Sequence, residues 1–163
     1  MPDGAQNSAR DDLVGVVIAL LADESRFGEV LALVHAAFGA LTPPSGAMKE
    51  TVADVAARYS AGPILLAQDG DELVGSVFCA VKDGSLYLTR MAVKPYRQKQ
   101  GIGQALMAAA EAEARALGLT RLSLRVRVNL PGNRRYFESL GFSVTGQGQD
   151  SGRPPYEVMA RQI

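Results

Sequence analysis

The apolar run SLYLTRMAV, Ser85 to Val93, passes through Lys94-Pro95 into two glycines one residue apart, Gly101 and Gly103, and straight on into an alanine-rich helix. That helix, GIGQALMAAAEAEARALG, carries Ile102, Ala105, Leu106, Ala109, Ala112, Ala116 and Leu117 at helical spacing, with glutamates on its other side and Gly118 at its end. The next segment, RLSLRVRV, alternates: Leu122, Leu124, Val126 and Val128 share one face, Arg121, Ser123, Arg125 and Arg127 the other. A strand, a helix and a strand in this order imply a right-handed parallel crossover. The chain is therefore α/β with a parallel pair, and the glycine turn lies beside that pair.

A chain of 163 residues suits one domain with a hydrophobic core. Its 17 basic and 17 acidic side chains balance, which argues against a dedicated nucleic-acid or polybasic membrane binder and makes any phosphate binding local. Cys79 and His35 are each alone. An intramolecular disulfide and a multi-cysteine metal site are thereby excluded, and a reducing compartment is expected. The apolar segment LVGVVIALLADESRF follows Asp11 and Asp12, lacks a basic leader and is too short to span a bilayer, so a cytoplasmic protein is expected.

The polar stretch MPDGAQNSARDD, residues 1–12, reads as a disordered N-terminal arm, and residues 13–163 as a single domain. Leu13 to Leu21 reads as a strand, followed by a helix with Phe27, Val30, Leu31, Val34 and Phe38 on one stripe. After the breaker GALTPPSG, a second helix is expected with Met48, Val52, Val55 and Tyr59 aligned. PILLAQ, ELVGSVFCAVK and SLYLTRMAV then form an antiparallel meander. In the last of these, apolar parity shifts between Leu88 and Met91, as a β-bulge would produce. A short helix, GNRRYFESLG, and strands around Phe142 to Gln147 and Tyr156 to Gln162 complete the sheet.

A glycine-containing turn from strand to helix leaves backbone N–H groups unpaired where the helix dipole favours negative charge. Gly101 and Gly103 let that backbone approach a phosphate closely. No Lys-Ser or Lys-Thr follows them, so this is not a P-loop, and Leu106 replaces the third glycine of a dinucleotide fingerprint. The pattern that fits is [Q/R]-x-x-G-x-[G/A], met by Gln98, Gly101 and Gly103 between the strand end AVKP and the helix. With NRRYFESLGF further on, the chain resembles the GNAT family of N-acetyltransferases. The resemblance covers Leu13 to Ile163, its specific part lying between Leu86 and Phe142.

That resemblance implies a mixed, mostly antiparallel sheet of about seven strands, a central parallel pair splayed at the CoA site, and about four helices. It implies acetyl-CoA as acyl-donor substrate, no metal, and direct attack by a primary amine. The pantetheine arm would lie on the backbone of Met91, Ala92 and Val93, and the pyrophosphate on Arg97, Gln98, Lys99, Gln100, Gly101, Ile102, Gly103 and Gln104. Asn133 either caps its helix or contacts the pantetheine arm, and Phe137 stands where similar proteins often carry the tyrosine beside the sulfur.

Phenylalanine donates no proton, and Tyr136 points roughly 100° away around a regular helix. Tyr136 is re-aimed, another group or water serves, or the thiolate leaves without a dedicated acid. No carboxylate occurs from Ser85 to Val93 to act as base. Arg90 either orients an acidic group of the acceptor or pairs with a neighbouring Asp or Glu. Tyr156 borders the acceptor pocket in similar proteins or simply packs, and Arg134 and Arg135 either approach the adenosine phosphate or form a solvated face. The candidate catalytic residues are Tyr136, Arg90 and Tyr156, while His35 reads as structural. The expected activity is acetyl transfer to a small-molecule amine; a CoA-binding sensor without turnover and a protein N-terminal or lysine acetyltransferase are the alternatives. Neither nucleic acid nor membrane is an expected partner, and homodimers are common among similar proteins.

Overall fold

The computed structural model describes residues 15–163. The expected arm over residues 1–12, and Leu13 and Val14 of the first strand, lie outside the described residues. The strands are β1 (Val16–Leu20), β2 (Ile64–Asp69), β3 (Glu72–Lys82), β4 (Ser85–Val93), β5 (Arg121–Arg127), β6 (Ser143–Gly148) and β7 (Tyr156–Gln162). The helices are α1 (Phe27–Phe38), α2 (Val52–Ala61), α3 (Ile102–Ala116) and α4 (Pro131–Ser139). One sheet in the order β1-β2-β3-β4-β5-β7-β6 contains all seven strands. Its parallel register joins Leu86 to Leu122 and Tyr87 to Ser123, and β4 runs on to Val93. Contacts divide the described residues into two compact units: those up to Ala80 with Arg90–Ala110, and Val81–Thr89 with Glu111–Ile163.

In the first unit β1, β2 and β3 form an antiparallel run. Its core gathers Phe27, Val30, Leu33, Val34, Val55, Ile64, Leu66 and Phe78. On α1 the buried positions include Leu33, while the expected Leu31 and Phe38 are only partly covered. The second helix also differs from expectation. Residues Gly46–Lys49 form a separate 3-10 turn, Glu50 is extended, and α2 begins at Val52. Thr51 and Asp54 close a reciprocal capping box there, which starts a new helix rather than continuing the turn. Of the expected stripe only Val55 is buried; Met48, Val52 and Tyr59 are exposed.

Helix α3 seats itself on β3 through Gly75. A Cβ there would come within 2.9 Å of Ile102 Cγ2 and 3.1 Å of Leu106 Cδ1, so the missing side chain permits the close approach. The buried face of α3 is Ile102, Leu106, Met107, Ala110 and Ala114, whereas Ala112, Ala116 and Leu117 are exposed. Alanine at so many positions leaves the apolar phase undetermined, and the bulky Ile102, Leu106 and Met107 set it. In β4, Arg90 adopts φ 51°, a left-handed conformation at the point where parity was expected to shift. Beyond it burial falls on Ala92, with Met91 and Val93 half-covered.

In the second unit β5 pairs antiparallel with β7 from Arg121–Gln162 to Arg127–Tyr156, and β7 pairs with β6. Leu122, Leu124 and Val126 are buried as expected; Val128 lies past the strand end and is exposed. Ser85 and Ser123, both buried, hydrogen-bond at 2.6 Å between the parallel strands, so two polar groups there satisfy each other. Helix α4 starts with Pro131 at its first position and buries none of its residues.

Candidate active site

The turn between β4 and α3 is held from behind. Lys94 donates its N–H to Val74 C=O at 2.9 Å and its ammonium to Glu72 at 3.2 Å. Residues Pro95–Arg97 form a 3-10 turn in which Arg97 N–H donates to Lys94 C=O at 2.8 Å. The Arg97 side chain then ties two places together: Nη1 reaches Asp69 Oδ2 at 2.8 Å and Nε reaches Gln100 Oε1 at 2.7 Å. Arg97 was expected among the phosphate donors; its guanidinium pins the turn to the end of β2. Asp69, which no local motif marked, supplies the anchor.

Within the pinned turn Lys99 has φ 63° and Gly101 φ 88°. The first helical bond is Ala105 N–H to Gly101 C=O at 3.0 Å. The N–H groups of Ile102, Gly103 and Gln104, which precede that bond, have no partner within the helix. These are the orphan donors of a helix start, set at the positive end of the α3 dipole around a glycine whose φ a side chain would strain. The arrangement can receive a polyanion such as a pyrophosphate. Its residues, Gln98, Lys99, Gln100, Gly101, Ile102, Gly103 and Gln104, fit that group through their backbone.

Arg90 is not isolated. Its Nε donates to Glu50 Oε1 at 2.9 Å, and Arg58 reaches the same oxygen at 3.3 Å. His35 Nε2 lies 3.2 Å from Glu50 C=O; since a carbonyl only accepts, the ring donates. The lone histidine thus ties α1 to the segment carrying Glu50. No carboxylate on β4 was expected, and none is there; the nearest is delivered by a residue forty positions earlier in the chain, where only the fold brings it to Arg90.

In the second unit, Asn133 is the third residue of α4 and its N–H donates to Leu130 C=O at 3.0 Å. The position before the helix belongs to Leu130, so the expectation of an Asn133 cap fails because Pro131 already starts the helix two residues earlier. Tyr136 stacks edge-on against Phe137 at 5.2 Å between centroids, and Phe137 against Phe142 at 5.8 Å. Partial burial raises the Tyr136 phenol above its ordinary pKa of 10.0, so the group keeps its proton at neutral pH. Arg134 is engaged by Glu138 at 2.8 Å and Glu157 at 3.2 Å. Tyr156 lies under the Arg125 guanidinium at 4.2 Å, and its ring fills the space where Gly148 lacks a Cβ. Tyr156 thus packs between Arg125 of β5 and Gly148 of β6.

The family model of the acetyltransferase (GNAT) family matches residues 40–142, more than half of the chain. The chain belongs to the GNAT acetyltransferase family. Solved structures carry the same fold. Ard1 from Thermoplasma volcanium is 16% identical with a TM-score of 0.78, over 91% of this chain and 98% of that one. The ribosomal-protein-S18-alanine N-acetyltransferase from Escherichia coli is 21% identical, TM-score 0.73, over 91% and 94%. A GNAT family acetyltransferase from Elizabethkingia anophelis with acetyl-CoA bound is 15% identical, TM-score 0.70, over 91% and 99%. A comparison with curated proteins gives no match.

As a GNAT acetyltransferase the protein draws its acyl group from acetyl-CoA. The strand–turn–helix on which Gln98, Gly101 and Gly103 sit falls inside the matched segment. Among the described residues no group of three or more His, Cys, Asp or Glu could hold a metal ion. No described helix is long and apolar enough to cross a membrane.

Proposed function

We propose that this GNAT acetyltransferase moves the acetyl group of acetyl-CoA to the primary amine of a small molecule, within one domain spanning residues 13–163. The observation that carries the reading is the start of α3, whose first N–H groups lack partners within the helix and follow left-handed Lys99 and Gly101. These donors take the CoA pyrophosphate. The half-covered backbone from Met91 to Val93 takes the pantetheine arm as an added strand would be taken. The neutral amine then attacks the thioester carbonyl: a C–N bond forms, the C–S bond breaks, the amine proton leaves to solvent and the thiolate is protonated. Tyr136, which holds its proton at neutral pH, is the proposed donor to that thiolate. Phe137 at the usual tyrosine position favours one second reading, a CoA-binding domain without turnover.

Calorimetric titration with acetyl-CoA, with ATP as control, followed by thiol release over an amine panel, tests the reading. Selective binding with turnover supports it. Selective binding with no turnover across the panel supports the sensor, and no binding removes the site assignment altogether. Tyr136→Phe is expected to lower kcat about a hundredfold with acetyl-CoA affinity unchanged; an unaltered kcat removes the tyrosine from the chemistry.

A further inference from the structure

Glu50 draws two guanidinium groups to one oxygen. Arg90 Nε and Arg58 both bond Oε1, at 2.9 and 3.3 Å, while Oε2 is buried and lacks a hydrogen-bond partner among the described residues. The grip on Nε fixes the plane of the Arg90 guanidinium without using its outer edge. Among the described residues neither terminal nitrogen of Arg90 makes a hydrogen bond, and its side chain remains 27% exposed, against 11% for Glu50. The buried carboxylate is thus the support and the arginine edge is the reachable part. Arg90 also carries the left-handed φ of β4, directly before the backbone assigned to the pantetheine arm. Glu50 is itself steadied by His35 at its carbonyl and by its own N–H donating to Ala47 C=O at 3.2 Å. A planar guanidinium held from behind, with two adjacent N–H-bearing nitrogens facing outward, matches a carboxylate better than any neutral group.

Building on the acetyl-transfer reading, we propose that the acceptor is an amine that also bears a carboxylate. Arg90 takes that carboxylate on its terminal nitrogens, and Glu50 is a positioning residue that acts through Arg90. A plain polyamine would meet a cation at this point and be disfavoured. A Glu50–Arg90 pair that served only to cancel charge would show no such discrimination.

The test uses matched acceptors: amino acids with acidic, basic and apolar side chains, each beside its decarboxylated amine, and dipeptides with free or amidated C-termini. The dipeptide arm separates a free amino acid from a peptide terminus as the source of the carboxylate. The wild-type protein is expected to favour carboxylated members at least about tenfold in kcat/KM. Arg90→Lys keeps a cation beside Glu50 and guards against misfolding, but lacks the planar edge; it should raise KM for the carboxylated acceptor about tenfold and leave kcat and acetyl-CoA affinity within about twofold. Glu50→Gln should move KM in the same direction by roughly threefold, with the melting temperature recorded for both variants. Equal or inverted preference across every pair in the wild type, or a preference untouched by Arg90→Lys, overturns the proposal. Should acetyl-CoA bind but no amine turn over, acetyl transfer itself fails. Titration of the carboxylated probes into the CoA complex of wild type and Arg90→Lys then still decides whether Arg90 holds a carboxylate.

Discussion

Helices α3 and α4 both begin just after a strand or its turn, and both carried candidate site residues, yet they are built in opposite ways. Helix α3 is anchored along its length by Ile102, Leu106, Met107, Ala110 and Ala114, and its start is shaped by backbone: a left-handed Gly101 and donors left unpaired. Helix α4 buries no residue, has no side-chain cap, and is held by ion pairs of Arg134 and by the Phe137–Phe142 contact. A site made of backbone on a rigid helix tolerates side-chain variation around it. One made of side chains on a lightly held helix would change its chemistry with each substitution.

The strongest way to break this contrast is at the anchor. Leu106→Ala removes a side chain with no exposure and should cost about 2–5 kcal/mol in urea-induced unfolding; a loss under about 1 kcal/mol would mean α3 is not rigidly seated. Next, Gly101→Val forces a β-branched residue to φ 88°, worth about 1–3 kcal/mol of strain or a rearranged turn. Acetyl-CoA affinity should fall about tenfold to a hundredfold by calorimetry, with the far-ultraviolet circular dichroism spectrum retained. On the other helix, Arg134→Ala breaks exposed pairs and should cost less than about 1 kcal/mol; a larger loss would make α4 as firmly held as α3.

A third helix start sharpens the comparison by pH. The carboxylate of Asp54 in α2 accepts from Thr51 N–H at 2.8 Å and from the Thr51 hydroxyl at 3.0 Å, and these bonds lower its pKa below the ordinary 3.8. A lowered folded value means that the cap stabilises the fold above 3.8 and that this contribution is lost as pH falls through the folded value. Thermal melts between pH 2 and pH 5 should show this small decline in the wild type and not in Asp54→Asn. Helices α3 and α4 have no corresponding carboxylate at their starts, since neither has an acidic residue in its first turn.

Much of the fold was legible. The strands Ser85–Val93 and Tyr156–Gln162 and the helix after Gly101 follow from alternation, helical spacing and breakers, all of which are local. Misreadings cluster where local signals are degenerate. Alanine repeats hid the phase of α3, and apolar residues from Met48 to Val52 imitated one helix where a 3-10 turn, an extended Glu50 and a capping box intervene. Asn133 looked like a cap because its residue type suits one, but Pro131 had already begun the helix.

The candidate site divides in the same way. The turn proposed to receive the CoA pyrophosphate is a property of consecutive residues: a glycine turn opening a helix leaves the helix's first N–H groups without partners inside it, so this part follows from the sequence alone. The partners of Arg90 and Arg97 were decided only by tertiary structure. Glu50 and Asp69 meet their arginines because a loop before α2 and the end of β2 are folded against β4 and its turn. Nothing in the spacing of such residues along the chain encodes the meeting. Charge pairing acts over a few ångströms of space, and only the packed core sets which distant residues come that close.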